Sequence, residues 1–220
     1  MSNKTYNQYC SIAHALDSLG ERWTLLVVRN LLMGPKRFSD LMRGLPGIST
    51  NILTDRLKSL EEDAIITTRY LPPPAASTVY ELTEDGTALS EVLTVLARWG
   101  SRTLGAPDTE QVIVSEGIEF MIHGVFLGAT FAEPLTCTIH IADALYDHTC
   151  SVQVSSAGSV LITSAAADAN ITIQTGLEAL SELSSGQVKI KALMDTNKIQ
   201  VEGERAAVDA LTAAIDERNI

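Results

Sequence analysis

Apolar residues recur every three or four positions through most of the first hundred residues, and every second position through much of the rest. The first period belongs to helices with one buried face, the second to half-buried strands. Ile12, Leu16 and Leu19 predict a short helix over 9–19. Trp23, Leu26, Val27, Leu31 and Met33 form a wide stripe that Gly34-Pro35 must end, because proline cannot continue the hydrogen-bond ladder. Phe38, Leu41, Met42 and Leu45 predict a third helix, stopped at Pro46-Gly47. Ser49 is a good N-cap for a fourth, placed at about 50–62. At 100° per residue, Ile52, Leu53, Leu57 and Leu60 fall on its inner side. Asn51, Thr54, Asp55 and Lys58 fall on the outer side, with Thr50 flanking. Arg56 sits at the edge of the inner side and reads as structural, with Asp40 its candidate partner.

Two β-rich runs around Pro72-Pro73-Pro74 then predict a hairpin, with Arg69 and Tyr70 on one arm and Thr78 and Tyr80 on the other. Thr83 can cap a long last helix whose Leu89, Val92, Leu93, Leu96 and Trp99 are too many for a helix standing alone. Residues 105–109, GAPDT, read as a hinge. Beyond it, 110–128 fits either period, and the persistence of the apolar pattern favours a helix. Leu135, Cys137, Ile139 and Ile141 alternate with polar residues, as do Val152 and Val154, Val160 and Ile162, and Ile171 and Ile173. These predict half-buried antiparallel strands. TGLEALSELSSG reads as a helix closed by Gly186, and QVKIKALMDT as strand or helix. NKIQVEG reads as a strand, and 204–219 as a terminal helix. Helices on one face of an antiparallel sheet give an α+β layer.

Charge divides the chain in the same place. Residues 1–105 are neutral overall, and 106–220 carry the whole net charge of −11. Two domains with different surfaces are expected, 1–105 and 106–220. Within the neutral half, the stretch from Arg22 to Lys58 has a local balance of +5. No apolar run approaches the ~20 residues of a membrane span, and MSNKTYNQYC has no signal core. Three cysteines do not make a disulfide framework, so a cytoplasmic location is expected. Asn170-Ile171-Thr172 matches a glycosylation sequon that has no meaning without secretion. His14, His123, His140 and His148 lack tight zinc-ligand spacing. Neither a nucleophile elbow nor a phosphate-cradling glycine loop is visible. No metal, cofactor or enzymatic activity is expected.

Three helices, a recognition-type helix, a β-hairpin and a long helix make a winged helix-turn-helix. Such a helix offers amides and hydroxyls to base edges in the major groove of double-stranded DNA. The base-reading candidates are Ser49, Thr50, Asn51, Thr54 and Asp55. Lys36, Arg37, Arg43, Lys58 and Arg69 are candidates for phosphate contacts, which position without reading. Trp23 and Trp99 lie on apolar stripes and read as core or dimer packing.

Over residues 9–104, the early Cys10 with ERWTLL, GPKRFSDL, LTDRLKSLEE, VYELTEDG and LARWG resembles the HxlR family of bacterial transcriptional regulators. The resemblance implies a homodimer joined by the first and last helices. Ser11 stands where the family often has proline, and Ala64 where it often has glycine, which puts a left-handed turn before the hairpin in question. Some HxlR-type proteins sense oxidants through a cysteine at the place of Cys10. Its uncharged neighbours Tyr9 and Ser11 do not help form a thiolate, and a silent, partly buried cysteine is the expectation. Residues 168–215, and more loosely 108–218, resemble sterol-carrier-protein-like domains. That implies an apolar cavity, for which Phe120, Phe126, Phe131 and Met194 are candidate lining residues. The expected protein is a homodimeric DNA-binding regulator, read as a repressor, whose second domain senses an apolar small molecule or aids dimerisation. The rival is a carrier of lipid or apolar ligand whose winged helix serves protein interaction.

Overall fold

The computed structural model describes residues 5–156, 158–164 and 168–217. They form two compact units: the chain up to Leu93 with Val114–Gly117, and Thr94–Ile113 with the chain from Ile118 onward.

The first unit opens with α1 (Ser11–Leu19), α2 (Thr24–Leu32), α3 (Phe38–Arg43) and α4 (Thr50–Glu62). The antiparallel hairpin of β1 (Ile66–Leu71) and β2 (Ser77–Leu82) follows, then α5 (Glu84–Ser101). Its core is built from Val27, Val28, Leu31, Leu41, Leu45, Leu53, Leu57, Leu60 and Ile66, all nearly inaccessible. The stripe of α2 is rotated from the predicted one: Val28 is inside and Leu26 is exposed. Ile52 is also outside, at 40% exposure. It precedes Leu53 on the shoulder of the stripe, where a helical wheel cannot decide the side.

Two capping devices join α4, the hairpin and α5. The Ser49 hydroxyl accepts from the Ile52 N–H at 3.4 Å and starts α4. At its end Ile65 N–H donates to Leu60 O and Ala64 N–H to Glu61 O, with Ala64 at φ +56°. This is a Schellman closure, which requires a left-handed residue at that position. The left-handed turn therefore forms although alanine stands there. Thr83 does double service. Its hydroxyl contacts Ala64 O at 2.7 Å and Ile65 O at 3.1 Å, and it accepts from Gly86 N–H, capping α5 as expected.

The second unit contains the end of α5, most of α6 (Ser115–Phe126) and a five-stranded sheet. Its strands are β3 (Leu135–Ala142), β4 (Asp147–Val154), β5 (Val160–Ser164), β6 (Ile171–Thr175) and β7 (Ile199–Gly203). Helices α7 (Leu177–Ser184), α8 (Ile190–Asp195) and α9 (Arg205–Asp216) complete it. Ile190–Asp195 within QVKIKALMDT is thus helical, and the terminal helix ends at Asp216; Arg218 and Asn219 lie outside the described residues. The strand order is β5-β4-β3-β6-β7. The pairing is antiparallel except between β3 and β6, which run parallel. That corrects the all-antiparallel expectation: β6 re-enters beside β3 after a crossover, and alternation in sequence carries no information about direction.

One face of the sheet and the helices bury Ile122, Val125, Phe126, Cys137, Ile139, Ile141, Val152, Ile171, Leu180, Ile190 and Leu211 in a continuous core. Asp143 ties the β3–β4 turn to the start of α7: its carboxylate accepts from Leu145 N–H and from Leu177 N–H, both at 3.0 Å. A carboxylate suits the partial positive charge of a helix start.

Candidate nucleic-acid interface

The outer face of α4 is presented by the burial of Leu53, Leu57 and Leu60 beneath it. Thr50, Asn51, Thr54, Asp55 and Lys58 are all exposed along it, beside exposed Ser49. Their chemistry is unequal. Ser49 is engaged in the cap. Thr54 donates its hydroxyl to Thr50 O at 2.9 Å, leaving only lone pairs and a methyl for an incoming base. No side-chain hydrogen bond or ion pair engages Asn51 or Asp55 among the described residues. Asn51 can bond an adenine at two atoms, and Asp55 can accept from a cytosine amine. The side chain of Ile52, which sequence reasoning assigned to the core, adds an apolar contact at the N-terminal end of this face.

The positive stretch divides on inspection. Arg29 is turned inward: its guanidinium donates to Asn30 Oδ1 at 3.0 and 2.7 Å. Burial lowers its pKa from the ordinary arginine value, and the Glu116 carboxylate works against that shift. Arg56 pairs with Glu21 at 3.6 Å, and Asp40 with Arg43 at 3.4 Å. Arg56 is thus structural as expected, with a different partner. Lys58 lies 3.6 Å from Glu62, both exposed, an i,i+4 pair too weak to withhold the lysine. Arg22 lies over the ring of Trp23, at 5.2 Å from its centroid.

Arg69 stands apart among the phosphate candidates. It forks onto Glu81 across the hairpin, with Nε at 3.0 and 2.9 Å and Nη2 at 2.8 Å from the two oxygens. The bond holds the Glu81 carboxyl below, and the guanidinium above, their usual ranges. The hairpin therefore shows a neutral pair where the sequence suggests a cation. Lys36 and Arg37 make no ion pair among the described residues. Lys36 exchanges backbone hydrogen bonds with Tyr80 at 3.0 and 2.8 Å, a single antiparallel bridge beside β2. Arg37 reaches Ala75 O at the hairpin tip, at 3.5 Å. Pattern reading missed this link, since it joins residues 38 apart in sequence.

Cys10 is exposed at the N-cap of α1, which corrects the expectation of a partly buried cysteine. It immediately precedes the first turn of α1. Trp99 is 69% exposed, so it belongs to no core of this chain. Trp23 is half-buried and holds a left-handed φ of +80° at the start of α2.

In the second unit, an apolar cavity of about 20 Å³ lies among Ile122, Phe126, Ile139, Leu183 and Ile190. Of the four lining candidates only Phe126 borders it. Phe120 and Phe131 are buried elsewhere, and Met194 packs at the edge of the core. Bulky branched side chains from sheet and helices have filled the space. His140 Nδ1 is 2.8 Å from the Thr149 hydroxyl. No group of three or more His, Cys, Asp or Glu among the described residues could hold a metal ion, and no described helix is long and apolar enough to cross a membrane.

Comparison with known proteins bears on the first unit. Residues 18–108 match the HxlR-like helix-turn-helix family. The HTH-type transcriptional regulator YodB of Bacillus subtilis is 38% identical over 95 residues, covering 43% of this chain and 85% of YodB. A regulator of Synechocystis, sll1512, is 36% identical over 109 residues, which are 49% of this chain and 81% of that protein. The solved reduced form of YodB covers 46% of this chain and all of its own, at 35% identity and a TM-score of 0.39. With α4 and the hairpin in place, and a relative covered over most of its length, this chain belongs to the HxlR-like helix-turn-helix family.

Proposed function

We propose that the protein is a homodimeric, DNA-binding transcription regulator that acts as a repressor in the cytoplasm. The observation that carries this reading is the solvent-facing row Thr50, Asn51, Asp55 and Lys58 on α4, above a buried row of leucines. Lys36 and Arg37, beside the hairpin, are cations without a carboxylate partner among the described residues, suited to phosphate. The homodimer is supported by the apolar side chains left outside: Ile12 and Leu16 on α1, and Val92, Val95, Leu96 and Trp99 on α5. Surfaces of this kind mark contacts between chains. A two-fold dimer reads a palindromic operator with half-sites about one helical turn, ~10 base pairs, apart or a multiple of it.

Selection of bound fragments from the source genome tests the reading. It should yield one such motif, with affinity falling steeply as salt rises. Asn51→Ala should cost ~1–3 kcal/mol at its own base position and relax specificity there, whereas Lys58→Ala should weaken all sequences alike. Uniform weakening by Asn51→Ala would mean that α4 enters the groove in another orientation. Derepression of a promoter carrying the motif on loss of the protein identifies a repressor.

For the second unit we propose a sterol-carrier-like domain, on the succession of sheet, α7, α8, β7 and α9, as the seat of an apolar effector. The cavity of about 20 Å³ must open more than tenfold to admit a molecule, since small-ligand sites have ~300–1,000 Å³. The effector reading therefore requires an opened core, detectable as faster amide exchange in α7 and α8 when an apolar extract is added. Cys10 is the thiol through which an oxidant would reach the dimer, because it stands exposed at the start of α1. The rival, a lipid carrier, would co-purify with lipid and select no DNA fragment.

A further inference from the structure

The two edges of the five-stranded sheet differ in chemistry. On one side β7 carries Glu202 and is flanked by Lys198 and Glu204. Charges of this kind guard an open edge against pairing with another chain. On the other side β5 reads Val-Leu-Ile-Thr-Ser, with no charge, in the half of the chain that holds the whole net charge of −11. Leu161 is 56% exposed on its outer face, and Val160 and Ile162 pack against the core from the edge.

The register shows which backbone groups point away from the sheet. Ser155 N–H donates to Ser159 O at the turn between β4 and β5. In an antiparallel ladder, bonded and non-bonded pairs alternate. Gln153 with Leu161 and Ser151 with Thr163 are then the bonded pairs. The N–H and C=O groups of Val160, Ile162 and Ser164 are left directed outward, where no strand of this sheet follows among the described residues.

We infer that this edge pairs with the same edge of a second copy of the chain, antiparallel, with the two Ile162 residues opposite each other. Ile162 exchanges both backbone bonds with Ile162 of the partner subunit. Val160 does the same with Ser164 of the partner subunit. Leu161 then faces Thr163 of the partner subunit as a non-bonded pair, with Cα atoms ~4.5 Å apart. The occupant is a copy of the chain because the arrangement is self-complementary, each bond occurring again by the two-fold axis. It also meets an electrostatic demand. Two acidic units can touch without apposing carboxylates only where neither carries one, and β5 is such a place. The homodimer proposed above, on which this inference rests for its supply of a second copy, raises the local concentration.

Directed cross-linking of the full chain tests it. Leu161→Cys and Thr163→Cys chains, one tagged and both in a Cys10→Ser background, are co-expressed and oxidised. Cys137 and Cys150 are buried and stay silent. A covalent tagged–untagged dimer should form in the mixture, at least fivefold above either variant alone, because only unlike positions lie within disulfide reach. Gln200→Cys with Glu202→Cys, on the other edge, should give none. Equal yields in all preparations, or no covalent dimer, overturn the inference. If cross-links are absent while sedimentation still gives a dimer, the edge reading alone fails. A monomer without cross-links removes the homodimer as well.

Discussion

Ala64 holds a left-handed conformation that an L-residue adopts at a cost of ~1–2 kcal/mol. The Schellman closure and the contact from Thr83 hold it there. Ala64→Gly should therefore raise the stability of the first unit by about 1 kcal/mol, read as an upward shift of its melting midpoint. A lowered midpoint would mean that the methyl group packs usefully. The three cysteines separate in the same local terms. Burial pushes Cys137 up to about 12 and Cys150 up to about 11, the latter helped by the Glu119 carboxylate. Thiolate is the reactive form. At pH 8 an alkylating reagent should label Cys10 alone in the folded protein and all three after denaturation, as peptide mass mapping would show. The sign of the pH dependence follows. Because the folded pKa values lie above the ordinary 9.0, the unfolded chain loses these protons first. The second unit should hold its stability below pH 9 and lose it as pH rises toward 12.

At the scale of elements, the hairpin and the turn before α3 act together. Arg69 is committed to Glu81, while Lys36 and Arg37 are not paired with any carboxylate among the described residues. Arg37→Ala should lower the salt slope of DNA binding by about 1, and Arg69→Ala should change it much less. An equal loss for both would show that the Arg69–Glu81 pair opens on DNA. Thr83→Ala removes a helix cap and its contacts with the Ala64 and Ile65 carbonyls in one step. It should cost ~1 kcal/mol of stability, measurable by urea unfolding.

For the whole molecule, charge and packing divide at different points. The charge balance changes near residue 105. The compact units instead divide inside α5 at Leu93, and Val114–Gly117 return to the first unit. A fragment ending at 117 should keep α4 and the hairpin, and with the acidic half removed it should bind non-specific DNA more tightly than the full chain. The gain should be largest at low salt, where screening is weak. A titration of both proteins at two salt concentrations measures it. No gain would mean that the acidic residues lie too far from DNA to matter.

Local patterns carried much of the fold. The span of α4, its Ser49 cap, the hairpin, the Thr83 cap and the alternating strands were legible because each depends on neighbours within a few residues. The solvent-facing side of α4 was legible for the same reason, since three buried leucines fix the phase of one helix. The side of Ile52, the inward turn of Arg29, the partner of Arg56 and the Arg69–Glu81 fork were not. Nor were the parallel β3–β6 pair and the filled core where an open cavity was expected. Each of these is settled by a residue distant in the chain, whose approach depends on how elements pack. Sequence periodicity determined which elements form and, for α4 and the strands, most of the side chains they hide. Tertiary structure decided which charges remain for a partner, because only packing brings a carboxylate from elsewhere within reach of a cation.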